Sequence, residues 1–187
     1  MKNLVLLFTA FFLCNPATFS QEKLNINVQK STIKWIGEYT FYFGGHDGFI
    51  NFKEGYFIKK IEVITGGEFI IDMNSITNTD IGEQVGRDNL VDHLKNDDFF
   101  SVDKFPTAKL VITKVEYHDK ISARLEADLT LKGITKSINF QAKFNYKEKE
   151  MNTRFKIDRK KWNVNYDSKM KDSAISDAIG FEVSIKL

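Results

Sequence analysis

Apolar and polar residues alternate along much of the chain. In the run from Ile179 to Leu187 every second residue is apolar, and the runs from Arg124 to Leu131 and from Ser137 to Tyr146 share this period of two. Because successive side chains of a strand point to opposite faces, each run predicts a strand with one dry and one wet face. Strands of this kind usually pair antiparallel.

Less regular strands are predicted in the remaining chain, and Gly66-Gly67 inside one of them indicates a bulge or bend. Turn signals at 44–45, 118–120 and 132–133 separate the strands. About eight closely spaced strands predict a sandwich or barrel, and an eight-stranded barrel can enclose one small ligand. The less regular strands cover Ile33 to Phe43, Gly48 to Ile58, Ile61 to Met73, Ala108 to Tyr117, and the neighbourhood of Phe155 and Ile157.

One segment, residues 78–100, departs from the alternation. Its apolar residues predict a short helix over about Asp88 to Lys95, with Asp88 or Asn89 as the cap and a loop ending at Pro106. A weaker helical pattern covers Met170 to Ile179. The apolar stripe of the first helix consists of Leu90, Val91 and Leu94.

The first twenty residues have the layout of a secretory signal peptide. Lys2 precedes an apolar run from Leu4 to Leu13, and small residues lead up to Ser20. We therefore predict cleavage after Ser20, a mature domain over residues 21–187, and a periplasmic or secreted location. Cys14 is the one cysteine of the chain, so the mature protein would contain no disulfide and no cysteine metal site.

The charge and motif content exclude several function classes. A net charge of +2 gives no basic field for nucleic acid, and we predict no nucleic-acid partner. The sequence lacks the G-x-S-x-G elbow, the Walker loop and the G-x-G-x-x-G fingerprint. We therefore expect a protein that is not an enzyme and that has no cofactor.

Three positions are candidates for polar chemistry. His93, with three aspartates nearby, fits a metal site or an acid–base pair, but a helix end explains it more simply. His46-Asp47 follows two glycines, which favours a turn over contact with a ligand head group. Arg159, just before Trp162, fits a strand end, a buried carboxylate partner or a ligand head group, and these alternatives stay open.

The high aromatic content has two explanations. The chain has 17 Phe residues, which either fill a core or line an elongated cavity for an alkyl or isoprenoid chain. Periodicity does not distinguish a filled barrel from a hollow one. The aromatic residues on apolar parities are Trp35, Phe41, Phe43, Phe69, Phe140, Phe144, Phe155 and Phe181.

A series of motifs runs through most of the chain after residue 30. In order they are Ser31-x-Ile33-x-Trp35-x-Gly37, His46-x-Gly48, Phe69-x-Ile71-Asp72-Met73-x-Ser75-Ile76, Leu90-x-x-His93-Leu94-Lys95-x-x-x-Phe99-Phe100, Phe105-Pro106-x-Ala108, Leu129-Thr130-Leu131-Lys132-Gly133-x-Thr135, and Ile157-Asp158-Arg159-x-x-Trp162-x-Val164-x-Tyr166. This order resembles the YceI-like family of exported lipid- or polyisoprenoid-binding proteins, in the form common in Bacteroidota.

The resemblance implies an all-β, lipocalin-like antiparallel barrel of about eight strands with a short helical flap. Its interior would hold a polyisoprenoid or other long-chain lipid for transport, storage or sequestration. The resemblance is also compatible with transient membrane contact and with a homodimer. The alternatives are a filled-core domain that acts through its surface and a His/Asp-based hydrolase. The expected ligand-binding residues are Trp35, Phe41, Phe43, His46, Phe69, Ile71, Met73, His93, Phe99, Phe100, Phe140, Phe144, Phe155, Trp162 and Phe181.

Overall fold

The computed structural model describes residues 21–40, 43–166 and 175–187, so the expected signal peptide lies outside the described residues. Within them the chain forms nine strands, one α-helix and two short 3-10 helices. The strands are β1 (Gln21–Asn25), β2 (Thr32–Tyr39), β3 (Gly45–Lys60), β4 (Val63–Asp72), β5 (Thr107–Tyr117), β6 (Ser122–Leu131), β7 (Ile134–Asn145), β8 (Glu150–Asp158) and β9 (Ile175–Lys186). Helix α1 covers Gln84–Lys95, and the 3-10 helices cover Met73–Ser75 and Arg159–Trp162.

The sheet closes on itself as an eight-stranded antiparallel barrel, which confirms the predicted fold. The strands follow the order β3-β2-β9-β8-β7-β6-β5-β4, and β4 pairs back to β3. Strand β3 is 16 residues long, and one of its edges pairs with β2 over residues 45–50 and with β1 over residues 56–60. Closure pairs the edges that an open sheet would expose.

The predicted bend near Gly66-Gly67 is present as a bulge. Ile58 pairs with Gly66, but the next residue of β3, Lys59, pairs with Ile64, so Thr65 is left over. An extra residue in one strand bends that strand and increases its twist.

Helix α1 begins four residues before the predicted start, and the predicted cap was wrong. The residue before the helix is Glu83, whose side chain makes no capping hydrogen bond. Instead, the Arg87 guanidinium donates to the carbonyls of Ile81 and Gly82, at 2.9 and 2.8 Å, and ties the first turn to the preceding loop. None of the described helices combines the length and apolarity that a membrane-spanning helix requires.

The weaker helix predicted over residues 170–179 was wrong where the structure describes it. Residues 170–174 lie outside the described residues, and Ile175–Ile179 begin strand β9. Ile179 pairs with Ile157 of β8 and with Gly37 of β2. Pairing on both edges of β9 overrides the weak local helical pattern.

One end of the barrel, which we call the closed end, is filled by aromatic side chains. The ring of Phe57 lies 5.0 Å from that of Phe69 and 6.2 Å from that of Phe144. The Tyr117 ring packs 5.9 Å from Phe144, and its hydroxyl donates to the Ile64 carbonyl at 3.0 Å. Phe57, Phe69 and Phe144 are almost fully buried, so they form a solid floor across this half of the barrel.

Candidate functional site

The opposite half of the barrel contains a cavity of about 400 Å³. Its volume falls within the range of about 300–1,000 Å³ that is typical of small-molecule sites. The wall is built by inward-facing side chains of the strands, and helix α1 with the loop after it contributes Leu90, Leu94 and Phe100. Phe69 belongs both to this wall and to the aromatic floor.

Four aromatic side chains on adjacent strands form a belt around one side of the cavity. Trp35 on β2 pairs with Phe181 on β9, which pairs with Phe155 on β8. Phe140 on β7 stacks on Phe155 with ring centroids 4.6 Å apart. We call these four residues the aromatic belt. Stacked and offset ring pairs add stability beyond their buried area.

Most of the side chains that the sequence predicted as ligand-binding lie in the cavity wall. Their role in binding stays a prediction, but their convergence on one cavity is a feature of the structure. The members of the predicted set that line the cavity are Trp35, His46, Phe69, Ile71, Met73, His93, Phe99, Phe100, Phe140, Phe155 and Phe181.

The tip of the β2–β3 hairpin corrects the prediction for Phe43. Strand β2 ends at Tyr39, and Gly44 adopts a φ of 117° in the turn. The alternation therefore stops before Phe43, whose side chain is fully exposed to solvent. Phe41 lies outside the described residues.

Phe144 and Trp162 are also corrected, because both are buried outside the cavity. Phe144 lies on the same face of β7 as Phe140, but further along the strand, where it joins the closed end. Trp162 is 1% exposed, and its Nε1 donates to the Leu129 carbonyl at 3.1 Å. The Trp162 side chain thus anchors the 3-10 helix to β6.

An aromatic cluster lies beneath helix α1 at the mouth of the cavity. His93 packs edge-on against Tyr166, with ring centroids 4.3 Å apart, and Phe99 lies 5.8 Å from His93 and 4.8 Å from Phe100. We call His93, Phe99, Phe100 and Tyr166 the flap cluster. All four side chains line the cavity, so the flap cluster connects the helix to the cavity wall.

His93 has an unusual polar environment. It lies in the last turn of α1, which confirms its predicted place at a helix end, and its Nδ1 is 3.9 Å from Asp98 Oδ2. Its Nε2 is buried and has no hydrogen-bond partner in the described part of the chain. An unsatisfied buried polar atom costs about 1–3 kcal/mol. Within the same described ranges, no group of three or more His, Cys, Asp or Glu residues is placed to hold a metal ion.

The second histidine, His46, is the centre of a hydrogen-bonded chain at the mouth. Its Nε2 lies 3.0 Å from the Tyr39 hydroxyl, and its Nδ1 lies 2.8 Å from Asp80 Oδ2. The other oxygen of Asp80 accepts from the Asp47 amide at 2.9 Å. Burial raises the pKa of Asp80, but hydrogen bonds from the Asp47 amide, His46 and Asn78 together hold that pKa below its usual value.

A rim strap, residues Ile76–Asp80, places Asp80 beside His46. The Thr77 amide donates to the Phe49 carbonyl at 2.9 Å, and the Thr77 carbonyl accepts from Trp35 Nε1 at 2.9 Å. Gly48 permits this approach, because a Cβ at that position would lie 1.8 Å from the Thr77 carbonyl oxygen. The sequence did not predict Tyr39 or Asp80 as partners of His46. Tyr39 lies across the β2–β3 turn from His46, and Asp80 lies 34 positions further along the chain.

Asp47, the neighbour of His46 in sequence, has a different role. It accepts from Lys34 Nζ at 2.9 Å and from the Thr79 hydroxyl at 2.7 Å. The hydrogen bond from Lys34 lowers the pKa of Asp47. Asp47 therefore holds the rim strap to β2 and β3, while Asp80 takes the place beside the imidazole.

Among the wall residues that the structure describes, Arg159 is the one Lys or Arg. It is 2% exposed and lines the cavity. Its Nη1 donates to the Val164 carbonyl at 2.6 Å, its Nε to the Ser176 carbonyl at 3.2 Å, and its Nη2 to Asp177 at 3.3 Å. Of the interpretations left open by the sequence, a carboxylate partner is present, but this carboxylate is half exposed rather than buried.

Curated relatives are similar to parts of this chain. A UPF0312 protein of Pseudomonas putida strain W619 is 41% identical over 58 residues, which cover 31% of this chain and 30% of the relative. A UPF0312 protein of Shewanella denitrificans is 32% identical over 95 residues, which cover 51% of this chain and 47% of the relative. The chain thus spans between about a third and a half of the length of these relatives.

Solved structures share the barrel. Burkholderia cenocepacia BcnA superposes with a TM-score of 0.70 at 15% identity, covering 86% of this chain and 98% of BcnA. A Campylobacter jejuni YceI protein superposes with a TM-score of 0.53 at 21% identity, covering 72% of this chain and 82% of that protein. At these identities the likeness concerns the fold. The profile of the YceI-like domain matches residues 20–187, and together with the closed barrel this match shows that the chain belongs to the YceI-like domain family.

Proposed function

We propose that this protein binds an amphiphilic lipid, with the apolar chain in the barrel cavity and the polar end at the mouth. The observation that supports this proposal most is the division of the barrel interior. Phe57, Phe69 and Phe144 close one end, and the other end holds an apolar cavity of about 400 Å³. Tyr39, His46 and His93 contribute polar groups to the wall of this cavity.

The energetics favour a chain rather than a compact polar molecule. Each buried CH₂ contributes about 0.8 kcal/mol, so ten of them contribute roughly 8 kcal/mol before the cost of association. The aromatic belt offers flat apolar surfaces to such a chain. A polyisoprenoid fits this environment, and family membership supports that choice. Because the floor is closed, a longer chain would leave its remaining length at the mouth.

We further propose that the protein is a carrier or store rather than a catalyst. The hydroxyl that contacts His46 Nε2 is the phenol of Tyr39, and among the described residues no Ser or Cys side chain forms a hydrogen bond with His46 or His93. The cavity disfavours the alternative of a fully filled core that acts through its surface. Export, with cleavage after Ser20, remains part of this proposal, and the mass of the protein recovered from its host's envelope tests it.

Titration of delipidated protein with a C20 prenol, followed by native mass spectrometry, tests the proposal. We expect one prenol per barrel and a change in the fluorescence of Trp35, which lines the cavity. Trp162 lies outside the cavity, so Trp162→Phe leaves that signal in place, whereas Trp35→Phe removes it. A protein that takes up neither prenols nor fatty alcohols at micromolar concentration would contradict the proposal.

A further inference from the structure

We propose that the polar end of the ligand is a neutral hydrogen-bond donor, a hydroxyl group, because the mouth of the cavity presents an acceptor. This inference rests on the proposed function and specifies the head group that the site selects. The acceptor is the Tyr39 hydroxyl oxygen. Tyr39 lines the cavity, and the Asp80 carboxylate on the far side of the His46 ring sets it as an acceptor.

The Tyr39 hydroxyl is oriented by His46. The Asp80 carboxylate can only accept, so the short contact of 2.8 Å requires His46 Nδ1 to carry the proton. In the neutral ring, Nε2 then carries a lone pair, and the Tyr39 hydroxyl 3.0 Å away donates to it. The only proton of this hydroxyl is thereby committed. What Tyr39 can offer to a ligand is the lone pairs of its oxygen.

His93 is not the acceptor, although its Nδ1 also faces a carboxylate, with Asp98 Oδ2 at 3.9 Å. Its Nε2 is buried without a partner among the described residues, so a ligand in the cavity could reach this atom only by displacing a neighbouring side chain. A ligand hydroxyl has one proton and donates to one acceptor. We therefore assign the head-group contact to Tyr39.

The charges at the mouth disfavour an anionic head group. The Glu38 carboxylate is a wall residue and is paired with Lys156 at 2.8 Å. Arg159 is the one Lys or Arg among the described wall residues, and its guanidinium donates to the Val164 and Ser176 carbonyls and to Asp177. Among the described residues, a carboxylate or phosphate would therefore meet the Tyr39 acceptor and the Glu38 carboxylate, and only two of the five N–H groups of Arg159 are left to donate to it.

Three probes with one C20 isoprenoid chain test the inference: geranylgeraniol, its methyl ether and geranylgeranoic acid. One additional hydrogen bond contributes about 1 kcal/mol, so we expect the alcohol to bind roughly five- to tenfold more tightly than the ether near pH 7. The acid should bind more weakly than the alcohol. Competition against a fluorescent prenol analogue measures all three affinities on the same scale.

One variant locates the selectivity. Tyr39→Phe keeps the ring and should reduce the alcohol-to-ether ratio toward one. A matched control lies at the closed end: Tyr146→Phe, whose hydroxyl contacts Tyr117, should retain the full ratio. A cooperative thermal transition establishes that each variant is folded.

The outcomes separate the inference from the proposed function. If the wild-type protein binds none of the three probes, the proposed function is wrong, and the inference falls with it. If it binds the alcohol and the ether equally, the inference is wrong and the proposed function stands. Tighter binding of the acid would overturn the inference in favour of an anion-selective mouth. Selectivity for the alcohol that survives in Tyr39→Phe would also overturn the assignment to Tyr39.

Discussion

Nδ1 of His46 lies 2.8 Å from Oδ2 of Asp80, although the two residues are 34 positions apart in the chain. The contact joins the start of β3 to the rim strap and fixes the imidazole at the cavity mouth. Asn78, which is 7% exposed, supports the same carboxylate and also donates to the Asp47 carbonyl at 2.9 Å. The side of the mouth that the rim strap covers is therefore held by polar contacts, whereas the closed end is held by aromatic packing.

The acidic groups of the rim predict a dependence of stability on pH. The pKa values of Asp47 and Asp80 are both lowered from 3.8 by folding. A carboxyl whose folded pKa is depressed stabilises the fold above its unfolded pKa, and this contribution is lost as pH falls through the folded pKa. We expect the urea midpoint of the wild type to decline below about pH 4 more steeply than that of Asp80→Asn.

The matched control for this measurement is Asp98→Asn. Its carboxylate is half exposed and lies 3.9 Å from the His93 ring, so its removal should change stability by less than about 0.5 kcal/mol. Equal pH slopes for the wild type and Asp80→Asn would show that the rim strap does not depend on the ionised carboxylate.

Gly48 predicts a steric requirement at the rim strap. In Gly48→Ala, the new Cβ would lie 1.8 Å from the backbone oxygen of Thr77, and the strap would have to move. We expect a loss of about 2–3 kcal/mol in unfolding free energy. Gly82→Ala provides the comparison, because a Cβ there meets nothing within 4 Å, and its effect on the midpoint of chemical denaturation should be small.

Two phenylalanines that the sequence treated alike should respond differently to the same substitution. Phe144 is buried in the closed end and Phe43 is fully exposed. Phe144→Ala should lower the unfolding free energy by about 3–5 kcal/mol, while Phe43→Ala should change it by less than about 0.5 kcal/mol. Thermal and urea denaturation measure both. A large loss for Phe43→Ala would contradict the exposed hairpin tip.

Filling the cavity should reduce ligand binding without unfolding the barrel. Val183 lines the cavity on β9 and is only partly buried, so a larger side chain can extend into the open space. We expect Val183→Phe to weaken binding of a C20 prenol by roughly tenfold or more, since losing two buried CH₂ groups alone costs about 1.6 kcal/mol. Isothermal titration measures the affinity, and an unchanged melting temperature establishes that the fold is intact.

The barrel and its inward-facing residues could be predicted well from the chain, because the period-two pattern is a local property of strands. The strands β6, β7 and β9 have the inward faces that the alternation indicates. The helix was predicted in place but not in length, since its first turn depends on Arg87 reaching back to the Ile81 carbonyl. The residue types at the expected cap positions, Asp88 and Asn89, do not reveal this contact.

What the sequence by itself determined is the antiparallel β domain, the side of each strand that faces inward and the helical segment near the mouth. Only the tertiary structure decided which inward-facing residues fill the barrel and which surround a space. Phe140 and Phe144 lie on one face of β7, yet Phe140 stacks on Phe155 in the cavity wall and Phe144 meets Phe57 in the floor. Alternation specifies the face of a strand, whereas the depth at which side chains from distant strands meet depends on the register and closure of the sheet.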